Sequence, residues 1–289
     1  MKFWQSLTFS DPDELLAVAK LAEDVGFHGV FVSEHVFFPE KLESKYPYSP
    51  DGTPVFTAET PWLDPWVQIG AMAAVTSRLR FVTGVYILPL RHPLEVAKSV
   101  ASAAALSHDR VGLGVGAGWM REEFEVLGRE FRGRGKRLDE MIEVLRKVWA
   151  GGMVEHHGAS YDFPRLQMSP APKIPPPILI GGMSEAAFRR AARLGDGWIG
   201  SGHTPDQVPG VMARLQELRR AAGRERLPFD TILVLSAPPD VDLLRRFEDA
   251  GVTSLVSWPL LFTVGPQATM DEKRRYLESY ANDVIAKMR

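Results

Sequence analysis

His35 closes an apolar run, Gly29-Val-Phe-Val-Ser33, with Glu34 between. An imidazole at the end of a buried strand can hydrogen-bond a ring or a substrate and move a proton near neutral pH. A structural histidine bonded to a loop carbonyl would occupy the same position, and the sequence leaves both readings open. Glu34 either orients a partner or faces away, because neighbouring strand residues alternate sides. A second stretch, Arg110-Val-Gly-Leu-Gly-Val-Gly-Ala-Gly-Trp119, begins as a doubly buried strand and ends in glycines. Those glycines let the chain turn and bring bare backbone N–H groups against a ligand before Trp119-Met-Arg-Glu-Glu-Phe124 starts a helix. A third, Gly181-Gly182-Met183-Ser184, again precedes a helix. Its N–H groups and dipole suit a phosphate, with Ser184 adding a hydroxyl; a plain turn with Ser184 as N-cap explains it equally well. Trp62 and Trp119 could wall a flat molecule, although loop packing is the plainer role, above all for Trp62.

Other candidates are weaker. Arg129, Arg132, Arg134, Lys136 and Arg137 form a basic run that reads as solvated surface, with contact to an anionic tail as the lesser alternative. His92 before Pro93 reads as an N-cap, and His156 and His157 as exposed. No cysteine and no His-x-His occurs, and no carboxylate cluster accompanies the strand-end histidine, so a metal site is disfavoured.

These residues need elements to hold them. The chain alternates buried runs with helical periodicities. Strands are expected at 2–9, 29–33, 79–86, 110–116, 177–180, 197–200, 231–235 and 252–257. Helices follow, with start signals at Asp11-Pro12, where Asp11 is the N-cap and Glu14 occupies N3, and at Asp64-Pro65 and His92-Pro93. Eight such alternations in 289 residues read as one α/β domain over 1–289, a (β/α)8 TIM barrel. A doubly wound sheet would carry one dominant glycine turn; here glycine turns follow strands three, four and five. Two insertions interrupt the barrel. A long loop at 36–62 after strand two holds Phe37, Phe38, Tyr46, Tyr48, Phe56 and Trp62, and reads as a packed lid. A hairpin excursion at 154–163, turning at Gly158, lies between strands four and five.

In such a barrel the C-terminal strand ends form the site. That rule gathers residues 33–35, 84–86, 116–119, 181–184 and 200–203. The formal charge of −2 gives no reason to expect nucleic acid or an anionic membrane surface, and no run spans a bilayer. The first residues show no cationic, cleavable leader, so a cytoplasmic protein is expected.

The motifs Gly29-Val-Phe-Val-Ser-Glu-His35, Thr83-Gly-Val85, Arg91-His-Pro93 with Ala97-Lys98, Arg110 through Phe124, and Gly181-Gly182 with Ala191-Ala192-Arg193 and Gly195-Asp-Gly-Trp198 resemble the luciferase-like monooxygenase superfamily. They cover most of residues 1–200; the final third is similar only in layout. The combination of Gly-Ala-Gly-Trp-Met-Arg-Glu-Glu-Phe with the Tyr-Pro-Tyr-Ser-Pro-Asp-Gly insert resembles the group assigned to coenzyme F420, with FMN as the alternative ring system. Members often have Leu-Asp before the fourth strand; this chain has Leu106-Ser107-His108-Asp109.

The resemblance implies a homodimer and a tricyclic ring at the strand ends, backed by a cis peptide at Gly84–Val85. It implies His35 as the catalytic group near the reactive edge of the ring. Glu34, Thr83, Gly84, Val85 and Trp119 are implied around the ring. Gly116, Ala117, Gly118, Gly181, Gly182, Met183 and Ser184 are implied around its phosphate stem. The activity implied is hydride transfer between coenzyme F420 and a small organic substrate, or else an FMN-dependent monooxygenation; a non-catalytic flavin-binding protein is a third reading.

Overall fold

The computed structural model describes residues 1–235 and 240–289. Eleven strands are found among them: β1 Lys2–Ser6, β2 Gly29–Val32, β3 Arg80–Thr83, β4 Tyr86–Ile87, β5 Val111–Gly116, β6 Val154–His157, β7 Asp162–Leu166, β8 Ile178–Gly181, β9 Gly197–His203, β10 Asp230–Leu235 and β11 Ser254–Ser257. The helices are α1 Leu15–Val25, α2 Pro65–Val75, α3 Pro93–Ser107, α4 Arg121–Val126, α5 Arg134–Trp149, α6 Glu185–Leu194, α7 Val208–Ala221, α8 Val241–Asp249, α9 Leu260–Thr263 and α10 Met270–Tyr280.

All pairings in the main sheet are parallel. β1 pairs with β2, β2 with β3, β3 and β4 with β5, and β5 with β8; the order continues through β9, β10 and β11 back to β1. The sheet therefore closes on itself as an eight-stranded barrel, with β3 and β4 as one strand interrupted at Gly84 and Val85. Ring closure removes the sheet edges. Helices cover the outside, as expected of a (β/α)8 TIM barrel.

Two apolar layers follow from strand alternation. Trp4, Phe31, Val82, Leu179, Ile199, Ile232 and Val256 point inward and fill the barrel. Their neighbours, such as Phe3, Val30, Phe81, Leu113, Ile180 and Leu255, point outward against the helices. Burying each such side chain stabilises the fold by roughly 1.5–3 kcal/mol before chain entropy is counted. Arg110, at the foot of β5, ties α2 to the strands by donating to the carbonyls of Ala73, Leu79 and Ser107.

Helix starts were legible at Asp64, which accepts from the N–H groups of Trp66 and Val67, and at His92, which accepts from Leu94. The start at Asp11 was not. Its carboxylate accepts from Asp13 N at 2.9 Å and closes a local turn, and α1 begins only at Leu15. A short Asp side chain offers the backbone this alternative to the helix, and here the alternative wins. The excursion is a two-stranded antiparallel hairpin of β6 and β7. His156 within it is buried, not exposed as expected; β6 lies against α5, and pleat alternation turns this residue inward while His157 stays outside. No helix among the described residues is long and apolar enough to cross a membrane.

Candidate active site

Above the apolar plug, the C-terminal strand ends surround a cavity of about 250 Å³. Seven of the candidate residues line it: Glu34, His35, Gly84, Val85, Trp119, Gly181 and Gly182. The peptide bond Gly84–Val85 is cis, as the resemblance implied. Only glycine fits before it, since a Cβ at Gly84 would lie 1.7 Å from the Phe31 ring.

The remaining six candidates stand behind or beside this wall. Thr83 is fully buried and donates to the Gly114 carbonyl at 2.7 Å, stitching β3 to β5. Gly116 lies under Val85, where a Cβ would come within 2.6 Å of a valine methyl. Ala117 is partly buried against the outer core. Gly118 takes a left-handed φ of 89°, packs on Phe124, and offers its carbonyl to Arg134 Nε at 2.9 Å. Met183 lies near Gly202 at the lid's margin. Ser184 caps α6, its hydroxyl accepting from Ala187 N at 3.2 Å.

Glu34 points into an ion pair. One oxygen accepts from Ile87 N at 2.7 Å and Arg91 Nη1 at 2.6 Å, and the other from Arg91 Nη2 at 2.7 Å. Arg91 also covers the Tyr86 ring at 4.1 Å. The carboxylate thus clamps the segment just after the cis bond.

His35 is held by a residue that sequence reasoning missed. Its Nδ1 lies 3.2 Å from Glu123 Oε1, and the same oxygen accepts from Val36 N at 2.8 Å. Glu123 is 1% exposed, so this carboxylate works away from bulk water. A carboxylate can only accept, so Nδ1 carries the proton and Nε2 is left for a ligand. Three rings enclose the imidazole: Phe56 at 4.7 Å, Trp62 at 5.2 Å and Trp119 at 5.6 Å. The sequence signal was present, since Glu123 opens the helix after the glycine turn, but its reach to β2 is a tertiary fact.

A second missed feature is a row of hydroxyls on the cavity wall. Ser33 Oγ donates to the Gly84 carbonyl at 2.8 Å, Thr8 Oγ1 lies 3.0 Å from Ser33, and Ser6 Oγ donates to Thr8 at 3.1 Å. Each hydroxyl has one proton. With that of Ser33 given to Gly84, Thr8 must donate to Ser33 and Ser6 to Thr8. The row therefore offers a ligand lone pairs and no hydrogens.

The lid (36–62) has no regular strand or helix, yet it is anchored. Glu122 accepts from Glu43 N at 2.8 Å and Ser44 N at 2.9 Å, and Arg121 N donates to Ser44 Oγ at 2.9 Å. Tyr46 packs on Trp119 at 5.3 Å, and burial together with Tyr48 pushes its phenol up to about 12, so it stays protonated at neutral pH. In the basic run, Arg134 and Arg121 lie over the Phe131 ring at 3.6 Å and 4.7 Å beside the Gly118 turn. Among the described residues no group of three or more His, Asp or Glu could hold a metal ion.

Known proteins share much of this sequence and this fold. The chain is 41% identical over 290 residues to an uncharacterized protein of Mycobacterium tuberculosis, covering all of both chains. It is 31% identical over 243 residues to an F420-dependent glucose-6-phosphate dehydrogenase of Nakamurella multipartita, covering 82% of this chain and 67% of that protein. The fold superposes on an F420-dependent secondary alcohol dehydrogenase, solved with an F420-acetone adduct, with a TM-score of 0.78 at 18% identity, covering 100% of this chain and 99% of that one. The sequence pattern of luciferase-like monooxygenases matches residues 4–240. The chain belongs to the luciferase-like monooxygenase family.

Proposed function

We propose that this protein is an oxidoreductase that passes a hydride between coenzyme F420 and a small organic substrate. One observation carries the reading: a polar row and a carboxylate-held histidine face the same aromatic recess at the barrel mouth. Likeness to F420-named relatives supports the choice of ring.

The residues present fit a flat heteroaromatic ring. The Trp62 indole N–H is buried without a partner, and the lone pairs of Thr8 and Ser33 await donors. A ring with flat apolar faces and a polar edge of N–H and C=O groups answers both. For the anionic stem, the N-terminus of α6 at Ser184 and the guanidinium pair Arg121 and Arg134 supply positive potential.

When bound, the deazaflavin supplies or accepts the hydride. The protein does the rest. Gly84 and Val85 back the ring, and Trp119 with the lid rings excludes water. His35 gives a proton to the substrate oxygen, or takes one from it, through Nε2. Glu123 stabilises the imidazolium that exists for part of that cycle. The active unit in this reading is a single domain over residues 1–289, acting as a homodimer.

Titration of the purified protein with coenzyme F420 and with FMN, followed by their fluorescence and visible absorbance, tests the reading. Saturable binding of F420 with little or none of FMN is expected. Tight FMN binding with no response to F420 overturns it in favour of a flavin-dependent monooxygenase. Light scattering on the same sample reads the dimer.

A further inference from the structure

The cavity wall also says what class of molecule it takes. On the lid side it is built from Tyr46, Tyr48, Val55, Phe56 and Trp62, with Phe262, from the segment after β11, also in the wall at the same mouth. Among the described residues only two that line it carry charge near neutral pH or can acquire it: Glu34 and His35. Glu34 is taken up by Arg91, and His35 by Glu123. No lysine or arginine stands among the described lining residues.

An anionic ligand would therefore lose its hydration without meeting a counter-ion. It would lie near two buried carboxylates, Glu34 and Glu123, of which only the first has a permanent cation against it. In the protein without cofactor the hydroxyl row adds to this, because lone pairs on Thr8 and Ser33 repel a carboxylate or phosphate as they welcome an N–H or O–H. The phenols of Tyr46 and Tyr48 remain as neutral polar tips in an aromatic surround.

We propose that the substrate is an uncharged, predominantly apolar organic molecule bearing one small polar group, and that phosphorylated or carboxylated compounds are excluded. This sets the chain apart from its relatives named for glucose 6-phosphate. The proposal rests on the reading of this cavity as the substrate pocket. It does not depend on which ring system is bound.

The test uses a matched pair, acetophenone and benzoylformate, which differ by a carboxylate in place of a methyl. Binding is read by quenching of tryptophan fluorescence, with Trp62 and Trp119 in the wall, and by calorimetry. Both the protein alone and the protein saturated with cofactor are used. Acetophenone is expected to bind at least about tenfold more tightly than benzoylformate, with glucose 6-phosphate giving no saturable signal. Equal or tighter binding of either anion overturns the proposal, as does failure of acetophenone to bind.

A gain-of-function variant completes the test. Val55 lines the cavity and is 57% exposed, so Val55→Lys is tolerated by the fold. Read on the protein without cofactor, it should raise benzoylformate affinity by at least about fivefold. No gain, with the protein folded by circular dichroism, counts against the charge argument. Failure of F420 to bind would defeat the preceding reading separately, because the neutral-over-anionic order is measured on the protein alone as well.

Discussion

His35 and His156 sit in nearly the same setting and do different things. Each has a ring nitrogen 3.2 Å from a glutamate oxygen, Glu123 for the first and Glu140 for the second. Each glutamate rises from a helix and also holds the backbone of an insertion. Glu123 takes Val36 N at the root of the lid; Glu140 takes Ser160 N and Tyr161 N in the hairpin. The other nitrogen separates them. His156 Nδ1 lies 3.1 Å from Lys147 Nζ, which can only donate, so this imidazole is the Nε2–H tautomer with both nitrogens occupied. His35 is the opposite tautomer, and its second nitrogen faces the cavity. A carboxylate-bound histidine is structural when both nitrogens are engaged and available for chemistry when one is open.

The largest effect that would break this comparison is loss of the imidazole. His35→Ala should lower turnover by about 10²–10⁴-fold, the range for a positioned proton donor, while cofactor Kd moves less than about threefold. His156→Ala should keep turnover within about twofold and lower Tm instead. Steady-state kinetics, a cofactor titration and a melting curve on each variant read all three quantities. Comparable turnover losses in both would end the distinction. Removing the carboxylate sharpens it. In Glu123→Gln the amide oxygen can still take both Val36 N–H and Nδ1–H, but it carries no negative charge and so withdraws support for the imidazolium. A drop in kcat of about ten- to a hundredfold with an altered pH–rate profile is expected. Glu140→Gln should leave both unchanged.

The contrast also explains what could be read ahead of the structure. The barrel was legible because buried strands and amphipathic helices alternate with their own periods, and Asp64 and His92 stand where helices begin. The cis bond at Gly84 and the glycine turns were legible through the family's motifs. Glu123 was not: it is 88 residues from His35, and nothing in Arg-Glu-Glu-Phe says which glutamate turns inward. His156 was misjudged because burial of a short hairpin depends on the helix beneath it. The hydroxyl row joins residues at and just beyond the ends of two strands and acquires direction only once Ser33 is seen to donate to Gly84. Pattern within an element could be read; partners across elements could not.

The smallest expected effect tests whether the two insertions are independent. Burial pushes the Glu122 and Glu140 carboxyls up, but the N–H groups they accept outweigh it and hold both below the usual carboxylate value of 4.5. Each folded-state carboxylate is thus favoured in the ionised form. Its contribution to stability is complete above that value and is lost as pH falls through the lowered one. Acidification from about pH 5 to about pH 3 should loosen the lid root and the hairpin together. Only the lid covers the cavity, so only its release should reach ligand affinity. In Glu122→Gln, cofactor affinity should already be about two- to threefold weaker at neutral pH and should fall less steeply in acid than in the wild type. In Glu140→Gln the affinity curve should parallel the wild type, while the acid slope of Tm flattens. If Glu140→Gln bends the affinity curve as much as Glu122→Gln does, the hairpin is mechanically joined to the site, and His156 belongs to the same machinery as His35.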